Sequence, residues 1–252
     1  MRRSKPLEPA EAYDRIAPEF AKLSQTRRAY LARIEQLVIS CIPPGSRSLL
    51  DIGAGDGARA FRIVEAAGLK EFVLLEPSAG MRSKWPPETP SWPIRAEELH
   101  NKNAKFDVIT CLWNVLGHIF PAESRVEVLR NCARLLAPGA LLFIDVSNRY
   151  NGFHYGFLPT ILRMFRDRAV PGERNGDVVA SWDVNGTSYA TNGHVFTDAE
   201  FRRIASTAGL AVKKRFSVDY AMGAIRRSTF AGHLLYVLEP GKPDLSRHPP
   251  AY

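Results

Sequence analysis

Cysteine is scarce in this chain and long apolar runs are missing, and each shortage removes a class of protein. The three cysteines among 252 residues, Cys41, Cys111 and Cys132, form no Cys-x-x-Cys pair. A thiolate zinc centre or a disulfide framework is therefore not expected, and no metal is assigned. Reduced buried thiols are the simple reading, and they point to the cytoplasm. No stretch of about 18 apolar residues occurs, so no transmembrane helix and no membrane partner is expected. Met1-Arg2-Arg3 leads into no apolar segment, which argues against a signal peptide. Internal repeats are also missing. Charge is lopsided, at a net +8, which permits an anionic partner. The basic residues are spread, with short clusters only at Lys213-Lys214-Arg215 and Arg226-Arg227, and read as a solvated surface. With 45% hydrophobic residues the chain can bury one full core.

Residues 1–45 read as helical. Tyr13, Ile16, Phe20 and Leu23 recur at helical spacing, Pro18 interrupts, and Leu31 to Cys41 mark a second helix ended by Pro43-Pro44-Gly45. Strand and helix patterns then alternate. Ser48–Asp51, Phe72–Glu76, Trp92–Ala96, Phe106–Cys111 and Leu141–Val146 read as five strands, with a helix closed by Pro138-Gly139 before the fifth. The runs are continuously apolar, which argues for strands covered on both faces in a doubly wound parallel α/β sheet. Residues 148–195 interrupt this order with asparagine, glycine and aromatics. They are expected to hold a helix over Leu158–Phe165 and a hairpin turning at Asn185-Gly186. Thr197 to Glu200 is a capping-box sequence, opening a helix stopped by Gly209, with strands over Leu210–Ser217 and Gly232–Leu238. The domain division expected is a helical N-terminal unit 1–45, a main domain 46–239 with its insertion 148–195, and a proline-rich tail 240–252, loosely held.

One segment carries chemistry. Leu49-Leu50-Asp51-Ile52-Gly53-Ala54-Gly55-Asp56-Gly57 is a strand ending in an acid and then glycines at alternate positions, followed by the helical pattern of Phe61, Ile63, Val64 and Ala67. Strand, glycine turn and helix form the mouth of a nucleotide-type site, and glycine allows the turn's backbone angles and a close ligand. Gly53-x-Gly55-x-x-Ala58 also fits a dinucleotide fingerprint, so a nicotinamide or flavin oxidoreductase is the rival reading. The Asp-x-Gly-x-Gly-x-Gly spacing, with Asp51 and Gly57 in place and some 45 residues of helix-like sequence before it, resembles the first motif of class I S-adenosylmethionine (SAM)-dependent methyltransferases, in their bacterial, small-molecule branch.

That resemblance implies a Rossmann-like, seven-stranded sheet, mostly parallel with the last strand antiparallel. The segment from Tyr13 to Phe20 resembles the helical lid that lies over the cofactor in this family. Glu76, 19 residues past Gly57, takes the ribose diol, since a carboxylate accepts from both hydroxyls. Pro77 and Met81 border adenine, as do Ala96 and Glu97. Arg95 stands where the family often has an aspartate, leaving the adenine amino group to Glu97 or a backbone carbonyl. Gly53, Ala54, Gly55 and Gly57 form the cradle. Asp51 acts at the amino acid end of the cofactor, carbonyls near Cys111 and Leu112 in the fourth-strand loop accept from its ammonium, and Asn114 lies where methyl donor and acceptor meet. S-adenosylhomocysteine (SAH) is the product.

Methyl transfer from a sulfonium needs alignment and a dry site, and a base only when the acceptor arrives protonated. His118, His154 and His194 are candidate bases, because a histidine's ordinary pKa lies near neutrality. The insertion follows the fifth strand, whose carboxyl end flanks the site in open α/β sheets. Asn148, Tyr150, Tyr155 and Trp182 are therefore candidates for the acceptor pocket. The expected activity is methylation of an oxygen or nitrogen of a small molecule by a monomer or homodimer. A tRNA or other RNA methyltransferase and a non-catalytic SAM-binding protein are the alternatives. No Pro-Cys nucleophile and no (Asn/Asp/Ser)-Pro-Pro-aromatic motif occurs, which counts against nucleic acid.

Overall fold

The computed structural model describes residues 5–241, so the proline-rich end of the tail lies outside the described residues. Pro18 breaks the N-terminal helix as its lost N–H requires. Helix α1 (Pro9–Ile16) passes through a short 3-10 turn into α2 (Phe20–Gln25), and α3 (Arg28–Cys41) follows. The alternating core comprises β1 (Ser48–Ile52), α4 (Ala58–Ala67), β2 (Glu71–Leu75), α5 (Ala79–Arg82), β3 (Ser91–Trp92), β4 (Phe106–Cys111), α6 (Ala122–Leu135) and β5 (Leu136–Val146). The insertion forms α7 (Gly152–Tyr155), α8 (Phe157–Ala169) and a hairpin of β6 (Asp177–Val184) and β7 (Thr187–His194). Helix α9 (Asp198–Thr207) and strands β8 (Leu210–Val218), β9 (Ile225–Arg226) and β10 (His233–Pro240) complete the chain.

The main sheet has the order β3-β2-β1-β4-β5-β10-β8-β9. β1 to β5 run parallel, and β10 runs antiparallel to both of its neighbours. The antiparallel last strand is as expected, but the sheet has eight strands rather than seven, because β9 adds two residues beside Ser217 and Val218 at the edge. Alternate residues along the strands serve two cores. Leu49, Leu74, Val108 and Phe143 pack with α3 and α4, while Leu50, Leu75, Ile109 and Ile144 pack with α6 and α9. Burial on both faces is why these strands read as unbroken apolar runs.

Two boundaries differ from expectation. The third strand stops at Trp92, since Pro93 cannot donate to the ladder and Ala96 opens a 3-10 turn capped by Arg95. The helix before β5 ends at Leu135, not at Pro138-Gly139. Leu136 already pairs with Phe106, and a register shift takes up the proline and the left-handed Gly139. Thr197 accepts from the Glu200 N–H, and its own N–H donates back to the Glu200 carboxylate, which completes the capping box.

His233, buried at the start of β10, accepts from the Asn148 N–H on Nδ1 at 2.9 Å. Burial, reinforced by His154 and Arg27, lowers its pKa to about 3. The unfolded chain takes up a proton near pH 6.5 that the native state refuses, so this group's stabilisation is complete above pH 6.5 and falls as pH drops toward 3. Between pH 7.5 and 5 the loss from His233 alone is about 2 kcal/mol. Urea midpoints across that range should fall more steeply for the native chain than for His233→Gln. Equal slopes would mean that His233 titrates normally in the fold.

Candidate active site

Strand β1 ends beneath a loop whose three glycines, Gly53, Gly55 and Gly57, are all left-handed. A Cβ on Gly53 would lie 2.5 Å from Val115, and one on Gly57 would lie 2.8 Å from Phe61 and 2.9 Å from Trp85, so the cradle is crowded at these two positions. Glu76, just beyond β2, is buried against this loop. Its Oε2 accepts from the Gly55 N–H and its Oε1 from the Ser78 N–H, each at 2.9 Å. Burial raises its pKa, opposed by those two donors. The Trp85 indole donates to the Gly55 carbonyl at 2.9 Å and fixes the loop from the other side.

Two adjoining pockets open at the carboxyl ends of the strands. The first, of about 940 Å³, is walled by Gly53, Ala54, Gly55, Glu76, Pro77 and Leu112, with Tyr13 and Phe20 over it. The second, of about 810 Å³, runs between Gly53 and Pro77 to Ala96 and Glu97. Pro9, Ala10 and His118 border both. Helix α1 is tied down across them, because Asp14 accepts from the Ser78 hydroxyl at 2.6 Å and from the Gly80 N–H at 2.8 Å. These hydrogen bonds hold the Asp14 carboxyl below the ordinary range despite the desolvation that opposes them.

A third chamber, of about 1230 Å³, lies on the other side of Tyr13 and His118. Its walls are aromatic: Tyr13, Phe20, Trp113, Tyr155, Trp182 and Tyr220. Arg27 is its one charged lining residue apart from the histidines, with its guanidinium 4.5 Å over the Tyr220 ring. His118 stands at the junction. Its Nδ1 lies 3.1 Å from the Asn192 carbonyl and must therefore carry the proton, leaving Nε2 to accept from the Tyr13 hydroxyl at 3.3 Å. Burial lowers its pKa, so the imidazole is neutral. Burial, followed by the charge on Glu76, raises the Tyr13 hydroxyl, which stays protonated.

The structure thus gathers Tyr13, Gly53, Ala54, Gly55, Glu76, Pro77, Leu112, Ala96, Glu97 and His118 around the two pockets, and Asn114, His154, Tyr155 and Trp182 around the chamber. Several other expected residues lie elsewhere. Asp51 is sealed below the glycine loop, accepting from Thr110 at 2.6 Å and pairing with Arg59 at 3.2 Å. Gly57 is the N-cap of α4 and is buried. Met81 packs with Ile16, Ala17 and Val184 in a small core at the end of α1. Cys111 belongs to the sheet core, where burial pushes its thiol up. Asn114 does line the chamber, but its amide is spent on structure, donating to the His194 carbonyl and accepting from the Ser147 N–H.

Three corrections concern the insertion. Asn148 is buried and its amide donates to the carbonyls of Thr229 and Gly232. The Tyr150 hydroxyl donates to Asp167 at 3.0 Å, and the residue lines neither of the two pockets nor the chamber. His194 is fully buried between Asp177, 2.7 Å from Nδ1, and Glu200, 2.8 Å from Nε2, so it clamps the hairpin to α9 and has no free nitrogen for a base.

Arg59 was missed by sequence reasoning. It lines the first pocket, carries the charge opposite Asp51, and its buried Nε has no partner. A cation two residues after the last glycine was a usable signal. Trp113 was also missed. With Asn114 it forms two successive left-handed, non-glycine residues in the loop after β4, a strained turn that points an aromatic into both the first pocket and the chamber. Arg27 and Tyr220 are far apart in sequence, and nothing local marks them.

Residues 11–214 match the methyltransferase domain family. A dTDP-4-amino-2,3,4,6-tetradeoxy-D-glucose N,N-dimethyltransferase of Saccharopolyspora spinosa is 33% identical over 119 residues, and the chain spans only 47% of that protein's length in the match, which takes up 46% of this chain. A cypemycin N-terminal methyltransferase of Streptomyces sp is 27% identical over 243 residues, covering 90% of this chain and 97% of that one. Among solved structures, an S-adenosylmethionine-dependent methyltransferase from Clostridium acetobutylicum ATCC 824 superposes with a TM-score of 0.61 at 12% identity, covering 92% of this chain and 99% of that chain, a likeness of fold.

Proposed function

Because the chain belongs to the methyltransferase domain family, whose class I fold and use of SAM it shares, we propose that it methylates an amine nitrogen of a small, anionic molecule. SAM supplies an electrophilic methyl group on a sulfonium. The first two pockets suit it by three observations: a glycine cradle that a Cβ would fill, a buried carboxylate at Glu76, and an unpartnered Arg59 Nε on the wall. In this reading Glu76 accepts from the ribose diol, Arg59 faces the amino acid carboxylate, and Ala96 and Glu97 border adenine.

The observation that carries the reaction is the neutral His118 between the cofactor pockets and an aromatic chamber free of carboxylates. An amine is protonated at neutral pH and must lose its proton before it can attack. His118 Nε2, directly or through the Tyr13 hydroxyl, is the acceptor for that proton. The aromatic walls hold the acceptor's body and Arg27 its anionic group. The two relatives named above act, by their names, on amines, and one of them on a nucleotide-linked sugar. Helices α1–α3 serve as a lid and residues 148–195 as the acceptor's cover. We assign the enzyme to the cytoplasm, as a monomer or homodimer. Among the described residues no helix is long and apolar enough to cross a membrane.

Calorimetric titration with SAM, SAH and NADH is the first test, and binding of NADH alone would overturn the cofactor. For the base, His118→Asn should lower kcat by about 10²–10³-fold. Its pKa is depressed, so the native rate should hold down through pH 6.5 and fall only on the acid side of that value. A variant that keeps both the rate and the acid limb would remove His118 from the reaction.

A further inference from the structure

Helix α8 is built inside out. Its polar residues face the protein: the Thr160 hydroxyl donates to the Gly156 carbonyl, Arg163 to the Arg149 carbonyl, and Asp167 accepts from Tyr150 and Arg149. Its large apolar residues face outward along one stripe, with Phe157 55%, Leu158 67%, Leu162 60% and Phe165 68% exposed. A helix in water normally has the reverse arrangement, and a contiguous exposed patch of this kind marks a surface that something covers. The patch extends past the helix, since the Phe157 ring lies 5.4 Å from that of Phe153, itself 56% exposed.

The exposed charges of α8 itself are of one sign, although Arg166 reaches back to Asp167 at 3.2 Å. The only carboxylate on α8, Asp167, is turned inward with 7% of its side chain exposed, whereas Arg166 is 59% exposed and Arg168 is also on the surface. The Arg226 guanidinium, paired with Asp219 at 2.8 Å, lies over Phe153 at the far end. Aromatic and aliphatic side chains in a stripe rimmed by arginine form the profile of a helix that lies in the headgroup plane of a bilayer. A second copy of the chain fits less well, because a two-fold contact on this face would gather the arginines of both copies where α8 presents no outward carboxylate to meet them.

We propose that the α7–α8 face docks on an anionic lipid bilayer, with α8 parallel to the membrane plane. This departs from the expectation of no membrane partner, which rested on the lack of a spanning segment, and it does not depend on the acceptor assignment. It has a geometric consequence for the site. His154 and Tyr155 of α7 line the acceptor chamber, so a docked enzyme holds that chamber close to the lipid surface.

The test floats the full chain with vesicles of phosphatidylglycerol and phosphatidylcholine, and with phosphatidylcholine alone. Co-flotation with the anionic vesicles only, weakened by salt, is expected. Leu162→Glu and Phe165→Glu should each reduce it by about tenfold or more. Both side chains are exposed, so both variants should bind SAM as the native chain does, which separates lost docking from lost folding. No flotation with anionic vesicles, or flotation unchanged in both variants, overturns the proposal. Sedimentation showing a dimer that Leu162→Glu dissociates would do so as well, giving the face to a second copy.

Discussion

Glu76→Gln should weaken SAM binding by about 2–3 kcal/mol, on the order of 30–150-fold, although it changes a single atom. Each carboxylate oxygen of Glu76 already accepts from a backbone N–H, Gly55 on one side and Ser78 on the other. A glutamine amide turns one acceptor into a donor that faces one of those N–H groups. That side of the loop must then move or lose its hydrogen bond in a buried place. The residue also loses half of its capacity to accept from a diol. Both effects fall on the ligand, because Glu76 lies in the pocket wall and outside the sheet cores. Titration calorimetry reads the result. An unchanged Kd for SAM would take Glu76 out of the cofactor site.

Gly55→Val should abolish measurable SAM binding, a loss of more than about 100-fold, while the chain still folds. Gly55 is left-handed at φ +58, which disfavours a β-branched residue by about 1–2 kcal/mol. Its surroundings do not forbid a Cβ, since the nearest atoms, on the Phe20 ring, are 3.6 Å away. The new side chain would stand between loop and lid, in the space the ligand needs. The cost in stability should lower Tm by only about 2–8 °C. Gly57 makes the contrast: a side chain there would collide with Phe61 and Trp85, so its replacement damages the docking of α4 itself. Thermal unfolding beside calorimetry distinguishes the two cases. Normal SAM affinity in Gly55→Val would show that the pocket is misassigned.

The parts of this site that were legible in the sequence are those set by local chemistry. The glycine loop and the Thr197–Glu200 capping box depend on residues a few positions apart, and Glu76, just beyond β2, stands one strand–helix–strand unit past the loop, so spacing carries the information. The misjudged residues share a different cause. Met81, Asn148, Tyr150 and His194 stand at the expected places along the chain, but sequence spacing does not tell which way a side chain turns. Met81 turns under the lid, and the other three turn into hydrogen bonds of the insertion. Polar and aromatic composition in the insertion was read as a ligand surface, when half of it is the scaffold that closes a detour of the chain onto the sheet. Arg27 and Tyr220 meet only because the lid and the end of β8 converge, and Arg59 was masked by its place in an ordinary helix pattern. The inside-out stripe of α8 is periodic, and its period identifies a helix. Which of its faces is covered is a tertiary fact.

The tether from Asp14 to Ser78 and Gly80 bears on the order of events in turnover. Helix α1 roofs both cofactor pockets with Pro9 and Ala10, and through Tyr13 it also forms a wall of the acceptor chamber. In the proposed assignment, a lift of α1 that opened the cofactor pockets would open the chamber with them, so the two exchanges would share one gate. The timing of exchange in such an enzyme would then be set where α1 meets Ser78 and Gly80.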